Sequence, residues 1–233
     1  MNDLKTGLRK GLPIAIGYLS VSFTFGVKAV NGGIPAWIAI LMSFTNLTSA
    51  GQFAGATLIM AQGSYLEIAI TTFVINIRYL LMSLALSQKL VRDTKLTQRL
   101  VAGFGITDEI FAVASTEPAE ITSRYLYGLI SLPVIGWTAG TALGALASQV
   151  MPAALSSAME LGLYAMFIAI VIPPARNNRA IALVLCIAIT IACILRVTPV
   201  LSNISVGFQV IIAAVVAAAV GAIVKPINKG GVS

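Results

Sequence analysis

Apolar stretches long enough to cross a bilayer recur along the whole chain, at about residues 12–30, 64–90, 124–148, 154–173, 180–197 and 204–224. A helix needs ~20 residues to cross ~30 Å of hydrocarbon, and these runs lack the apolar–polar alternation of barrel strands. The expected fold is an all-α polytopic membrane protein with about six full transmembrane helices. Composition agrees, since 58% of the 233 residues are hydrophobic and 10% charged, whereas a soluble domain carries about 25% charge. We read residues 1–233 as a single transmembrane domain whose first helix is retained rather than cleaved as a signal peptide.

Two further stretches are apolar but interrupted. "IPAWIAILMSFTNLTSAGQFAGATLIMAQGS" is polar and glycine-bearing at its middle, "TNLTSAGQF", and "VAGFGITDEIFAVASTEP" carries the adjacent acids Asp108 and Glu109. Both read as broken or re-entrant helical elements. The cations decide their direction. Lys5, Arg9 and Lys10 precede the first span, and Lys89, Arg92, Lys95 and Arg99 crowd one short connector. "PPARNNR" and the tail "KPINKG" are also basic. The positive-inside rule places these segments, and both termini, in the cytoplasm. That requires the first interrupted element to turn back from the exterior and the second to enter from the cytoplasm, an arrangement that an inverted repeat produces. The formal +7 charge is thus a topology signal and gives no reason to invoke nucleic acid.

"TTFVINIRYLLMSL", residues 71–84, sets Asn76 and Arg78 in the middle of a span. A guanidinium at the bilayer centre costs at least roughly 2.5–3.5 kcal/mol, so it needs a partner. On a helix, Glu67, Thr71 and Arg78 fall within about 40° of one another, while Thr72, Asn76 and Tyr79 form a second stripe about 120° away, predicting two polar neighbours. Two roles fit Arg78: pairing with an acid or helix-break carbonyls, or meeting the anionic group of a substrate in a cavity. Asp108 and Glu109 point about 100° apart, so one can pair with Arg78 while the other serves ion or proton coupling; alternatively both line a wetted vestibule.

The first break supplies Asn46, Thr48, Ser49 and Gln52 at bilayer depth. Half-helix N-termini attract anions and C-termini cations, so a zwitterion suits such a break; the plainer reading is a kink satisfied by neighbouring helices. The candidate substrate-binding set is therefore Asn46, Thr48, Ser49, Gln52, Asn76 and Arg78. Tyr18, Phe23 and Phe25, with Gly17 and Gly26, read as core packing. Gly136, Gly140 and Gly144 make one smooth face for tight helix contact, within the chain or with a partner. Cys186 and Cys193 read as small packing residues, and with no histidine in the chain no metal site or cofactor is expected.

"GLPIAIGYLSVSFTFG", the "AGQF" break, "LEIAITTFVINIRYLL" and "TDEIFAV" follow one another in the order and spacing of the AzlC family. The resemblance is specific over about residues 11–114 and extends by hydropathy to the end. It resembles the large subunits of bacterial branched-chain amino acid permeases. That implies a secondary transporter subunit exporting leucine, isoleucine, valine or similar neutral amino acids across the inner membrane, with a small AzlD-type membrane subunit. One position departs from the pattern: the family usually carries Asn-x-Arg-His, and here Tyr79 follows Arg78. A relay through that histidine is absent, which leaves Asp108 or Glu109 for coupling, or a different driving mechanism. A phosphate-binding loop, a histidine-based triad and a metalloprotease motif are all missing from the sequence, so an enzyme is not expected. The alternative is a channel or scaffold subunit without a substrate site.

Overall fold

The computed structural model describes residues 3–148, 168, 171–173, 175–199, 201 and 204–224. Its helices are α1 (Asp3–Asn31), α2 (Ala36–Thr45), α3 (Ser49–Met60), α4 (Tyr65–Gln88), α5 (Leu96–Phe104), α6 (Asp108–Ser115), α7 (Ser123–Ala147), α8 (Arg179–Val197) and α9 (Val206–Val224). Among the described residues, five helices are long and apolar enough to cross a membrane: α1, α4, α7, α8 and most of α9. The span expected at 154–173 lies almost wholly outside the described residues. Side-chain caps fix several starts: Ser64 accepts from Glu67 N, Thr122 from Tyr125 N and Asn178 from Ala180 N, each satisfying an otherwise orphaned N–H. α1 begins nine residues before the expected span, so Lys5, Arg9 and Lys10 ride on the helix itself.

Parallel α1 and α7 form the central pair, with their backbones in direct contact. A Cβ placed on Gly7 would lie 2.2 Å from the Tyr125 carbonyl, on Gly136 2.5 Å from that of Ala15, and on Gly144 2.0 Å from that of Phe23. Each glycine thus meets the other helix's main chain, which no other residue permits. Pro133 has no N–H to give the carbonyl of Leu129, four residues earlier. Gly11 packs against that same oxygen, 2.5 Å from its would-be Cβ. The expected glycine face therefore seals a contact within the chain, and α1 supplies the matching glycines.

Each interrupted element is a hairpin of two half-helices. Met60, at the end of α3, packs against Gly32 at the end of α1, so the α2–α3 hairpin enters and leaves at that far end. Its core joins Phe53 and Ala56 to Phe25, Ala29, Ile34 and Ala39, with Phe25 and Phe53 edge to face at 5.1 Å. The α5–α6 hairpin enters and leaves at the opposite end. There Lys10 pairs with Glu117, Lys89 donates to the Ser115 carbonyl at 2.6 Å, and Arg99 to that of Ser87 at 2.8 Å. Its core joins Ala102, Ile106, Ile110 and Ala114 to Leu86, Leu126 and Leu129. Hence α1 followed by a hairpin, and α4 followed by a hairpin, run in opposite directions, as an inverted repeat requires. α8 rises from the basic end and α9 returns to it, with Gly221 against Val184.

The two polar stripes of α4 do find two neighbours. Glu67 accepts the Gly207 N–H at 3.1 Å, so Glu67 and Thr71 face the start of α9. Thr72 and Asn76 lie against Gly55 and Gly51 of α3. Cys186 and Cys193 depart from expectation: both are free and exposed, because α8 buries only Leu195.

Candidate functional site

The breaks of both hairpins reach the middle of the α1–α7 pair and border a cavity of about 720 Å³. Most of its wall is apolar, with Val21 from α1, Leu47 from the first break, Val74 and Ile75 from α4, Trp137 from α7, and Ala214 from α9. Against this stands one polar group: Tyr18, Ser49, Arg78, Tyr79, Thr107, Asp108 and Glu109. A volume of 300–1,000 Å³ with apolar walls and a few convergent polar groups is the ordinary form of a small-molecule site.

Arg78 finds its expected partner on the second hairpin. Its guanidinium lies 2.9 Å from Asp108 Oδ2, with 44% and 40% of the two side chains exposed, so the pair is open to the cavity. The guanidinium also sits 4.9 Å from the centre of the Tyr79 ring and donates to its hydroxyl at 3.1 Å. Tyr79 thus serves as an acceptor and a stacking face for the arginine. Glu109, one residue on from Asp108, points elsewhere and accepts from the Tyr18 hydroxyl at 2.5 Å, which also lies 2.6 Å from Thr107 Oγ1. The adjacent acids are therefore divided, one to the cation and one to a phenol. Thr107 is also the N-cap of α6, so the cap fixes where both acids start.

The first break contributes differently. Thr48 is the N-cap of α3 but makes no side-chain cap bond. Thr48 Oγ1, Ser49 Oγ and Asn76 Oδ1 are buried without a hydrogen-bond partner among the described residues. A Cβ on Gly51 would lie 2.4 Å from both Thr48 Oγ1 and Asn76 Oδ1, so these orphans gather at the start of α3, where free N–H groups and the helix dipole favour an anion. Of these residues Ser49 lines the cavity. Gln52 is held elsewhere: it accepts the Trp137 indole N–H at 2.8 Å and donates to Ser43 Oγ at 2.6 Å, with 1% of its surface exposed. Asn46 ends α2, its N–H on the Met42 carbonyl, and it too stands off the cavity wall.

Tyr18, Thr107 and Trp137 are site residues that sequence reasoning did not select. Trp137 packs edge to face on Tyr18, ring centroids 5.2 Å apart. An aromatic among glycines in "GWTAG" was the available signal. Among the described residues no three His, Cys, Asp or Glu side chains gather as a metal site would need.

The sequence model of the family described as "AzlC protein" matches residues 13–151, a stretch that contains α2 to α7 and α1 from Pro13 onward. The chain belongs to the AzlC family. This AzlC-family chain is 35% identical over 182 residues to an "Uncharacterized membrane protein" of Archaeoglobus fulgidus, covering 77% of the chain and 80% of that relative. It is 29% identical to "Inner membrane protein YgaZ" of Escherichia coli over 60% of the chain and 58% of the relative. It is 25% identical to "Branched-chain amino acid transport protein AzlC" of Bacillus subtilis over 57% and 53%. The match thus spans little more than half of these last two. No solved structure matches. The family match extends over both hairpins and every polar residue of the cavity named above.

Proposed function

We propose that this chain is the translocating subunit of a secondary transporter that exports branched-chain amino acids, leucine, isoleucine, valine or similar, across the inner membrane. The observation that carries the proposal is a single cavity with an apolar wall and charges of both signs. An aliphatic side chain is desolvated against Val21, Leu47, Val74 and Trp137, at about 0.8 kcal/mol per buried CH₂. The carboxylate is received by Ser49 and the start of α3, with Thr48 and Asn76 behind, or by Arg78 once Asp108 yields it. Asp108 takes the ammonium, and Glu109, on the Tyr18 hydroxyl, is the coupling carboxylate. Gln52 and Asn46 serve from behind, by holding Trp137 and ending α2. The printed name of the Bacillus subtilis relative supports the substrate class. The concentration of cations at one end of the bundle supports cytoplasmic termini. Residues 1–233 act as one transporter domain, and a small AzlD-type subunit is the proposed partner.

The test is counterflow of labelled leucine or valine in proteoliposomes, with and without a small four-span partner. Saturable exchange that Arg78→Ala abolishes supports the proposal. Absence of exchange for every amino acid, in monodisperse protein with its partner present, overturns it in favour of a channel or scaffold subunit.

A further inference from the structure

A second cavity, of about 800 Å³, opens at the basic end, lined by Lys5, Arg9, Lys10 and Ile14 of α1 with Val113 and Thr116 of α6. Pro13 and Ile14 belong to the walls of both cavities. On α1 the lining positions run 5, 9, 13, 17, 21 and 6, 10, 14, 18, which is one continuous helix stripe. On α6 they run Glu109, Val113, Thr116, again one stripe. The same two faces therefore wall both spaces, which lie end to end along one seam.

The chemistry changes in order along this route. At the mouth Lys5 and Arg9 are exposed and carry no ion pair among the described residues, while Lys10 is held by Glu117. At the neck stand Ile14 and Val113, and beyond it come Tyr18, Glu109 and the rest of the central site. Cations at the mouth raise the local concentration of an anionic group, and a low-dielectric wall behind them concentrates that field.

We propose that the α1–α6 seam is the passage between the cytoplasm and the central cavity, with Lys5 and Arg9 as a collecting site for the substrate carboxylate and Ile14 with Val113 as its neck. The identity of the traveller rests on the function proposed above; the existence of the passage does not.

The experiment uses the full chain with Cys186→Ser and Cys193→Ser, adding Ile14→Cys or Val113→Cys, in sealed vesicles of known orientation. Anionic sulfonate and cationic trimethylammonium thiol reagents are applied from either side. Expected is labelling of both positions from the basic side only, with the anionic reagent faster by roughly tenfold. That preference disappears when Lys5→Gln and Arg9→Gln are added, and leucine slows the reaction. Labelling no faster than at Leu80→Cys on the outer face of α4, or indifferent to reagent charge, overturns the proposal. Protection by anionic lipid but not by leucine overturns it too, making the mouth a headgroup site. Labelling needs no transport, so vesicles that label as expected but show no leucine exchange refute only the transport reading. Exchange without labelling refutes only the passage.

Discussion

Trp137 of α7 and Tyr18 of α1 meet edge to face at 5.2 Å, and each is tied to a different hairpin. Trp137 donates to Gln52 of α3, and Tyr18 reaches Thr107 and Glu109 of the α5–α6 hairpin. The central helix pair thus joins the two breaks through one aromatic contact.

Replacing Gln52 by leucine leaves the buried Trp137 N–H without its acceptor and Ser43 without its donor. The stranded indole N–H costs about 1–3 kcal/mol, while Ser43 keeps its 2.6 Å hydrogen bond with Thr141. Gln52→Leu is therefore expected to lower the unfolding temperature in detergent and to shift Trp137 emission, whereas Gln52→Glu, which retains the acceptor, keeps the emission closer to that of the parent.

Arg78 and Asp108 line the proposed translocation cavity, which water fills between substrates, and ion pairs open to water contribute only about 0–1 kcal/mol. Arg78→Ala and Asp108→Asn should accordingly fold with little loss of thermal stability while exchange falls at least about tenfold, a change in transition-state or binding free energy of about 1.4 kcal/mol. A large stability loss in Arg78→Ala that Asp108→Asn restores would instead mark the arginine as a structural partner.

The glycines offer an internal control. Gly140→Ala and Gly144→Ala drive a methyl into the backbone of α1, an overpacking that costs typically 1–3 kcal/mol and more where nothing can yield. Gly17→Ala and Gly103→Ala meet no atom within 4 Å and should match or exceed the parent in thermal stability.

At the basic end Glu117 has its carboxyl held below the usual range by the hydrogen bond from Lys10 and then that from Tyr125. A depressed folded-state pKa gives stability that is complete above the unfolded value of about 4.3 and is lost as pH falls through the folded value. Glu117→Gln is expected to melt below the parent at pH 7, with the gap closing as the solution is acidified below pH ~4. Thermal scans across that range check it.

The α2–α3 hairpin was legible because three signals agreed: polarity within an apolar run, glycine, and cations that left the next connector only one side to occupy. Arg78's need for an acid was legible for a similar reason, since bilayer energetics demand a partner and Asp108 and Glu109 stood nearby in the sequence. Which acid it takes was not, because that depends on the Thr107 cap setting the start of α6 and on Tyr18 claiming Glu109. Gln52 looked like a ligand from composition, as any amide at that depth does; its commitment to Trp137 is a contact across 85 positions that no local pattern encodes. Tyr18 looked like core for the same reason in reverse.

The α1–α7 seam has a consequence for biosynthesis. Ser22 and Gly136 meet across 114 positions, so at ~5–20 residues per second the ribosome takes roughly 6 to 23 s to supply the second half of an interface whose first half has already entered the membrane. Throughout that interval α1 presents a bare glycine groove to whatever lies beside it. A chain released before α7 keeps that groove open permanently, so the insertion machinery must shelter α1 until its mate arrives.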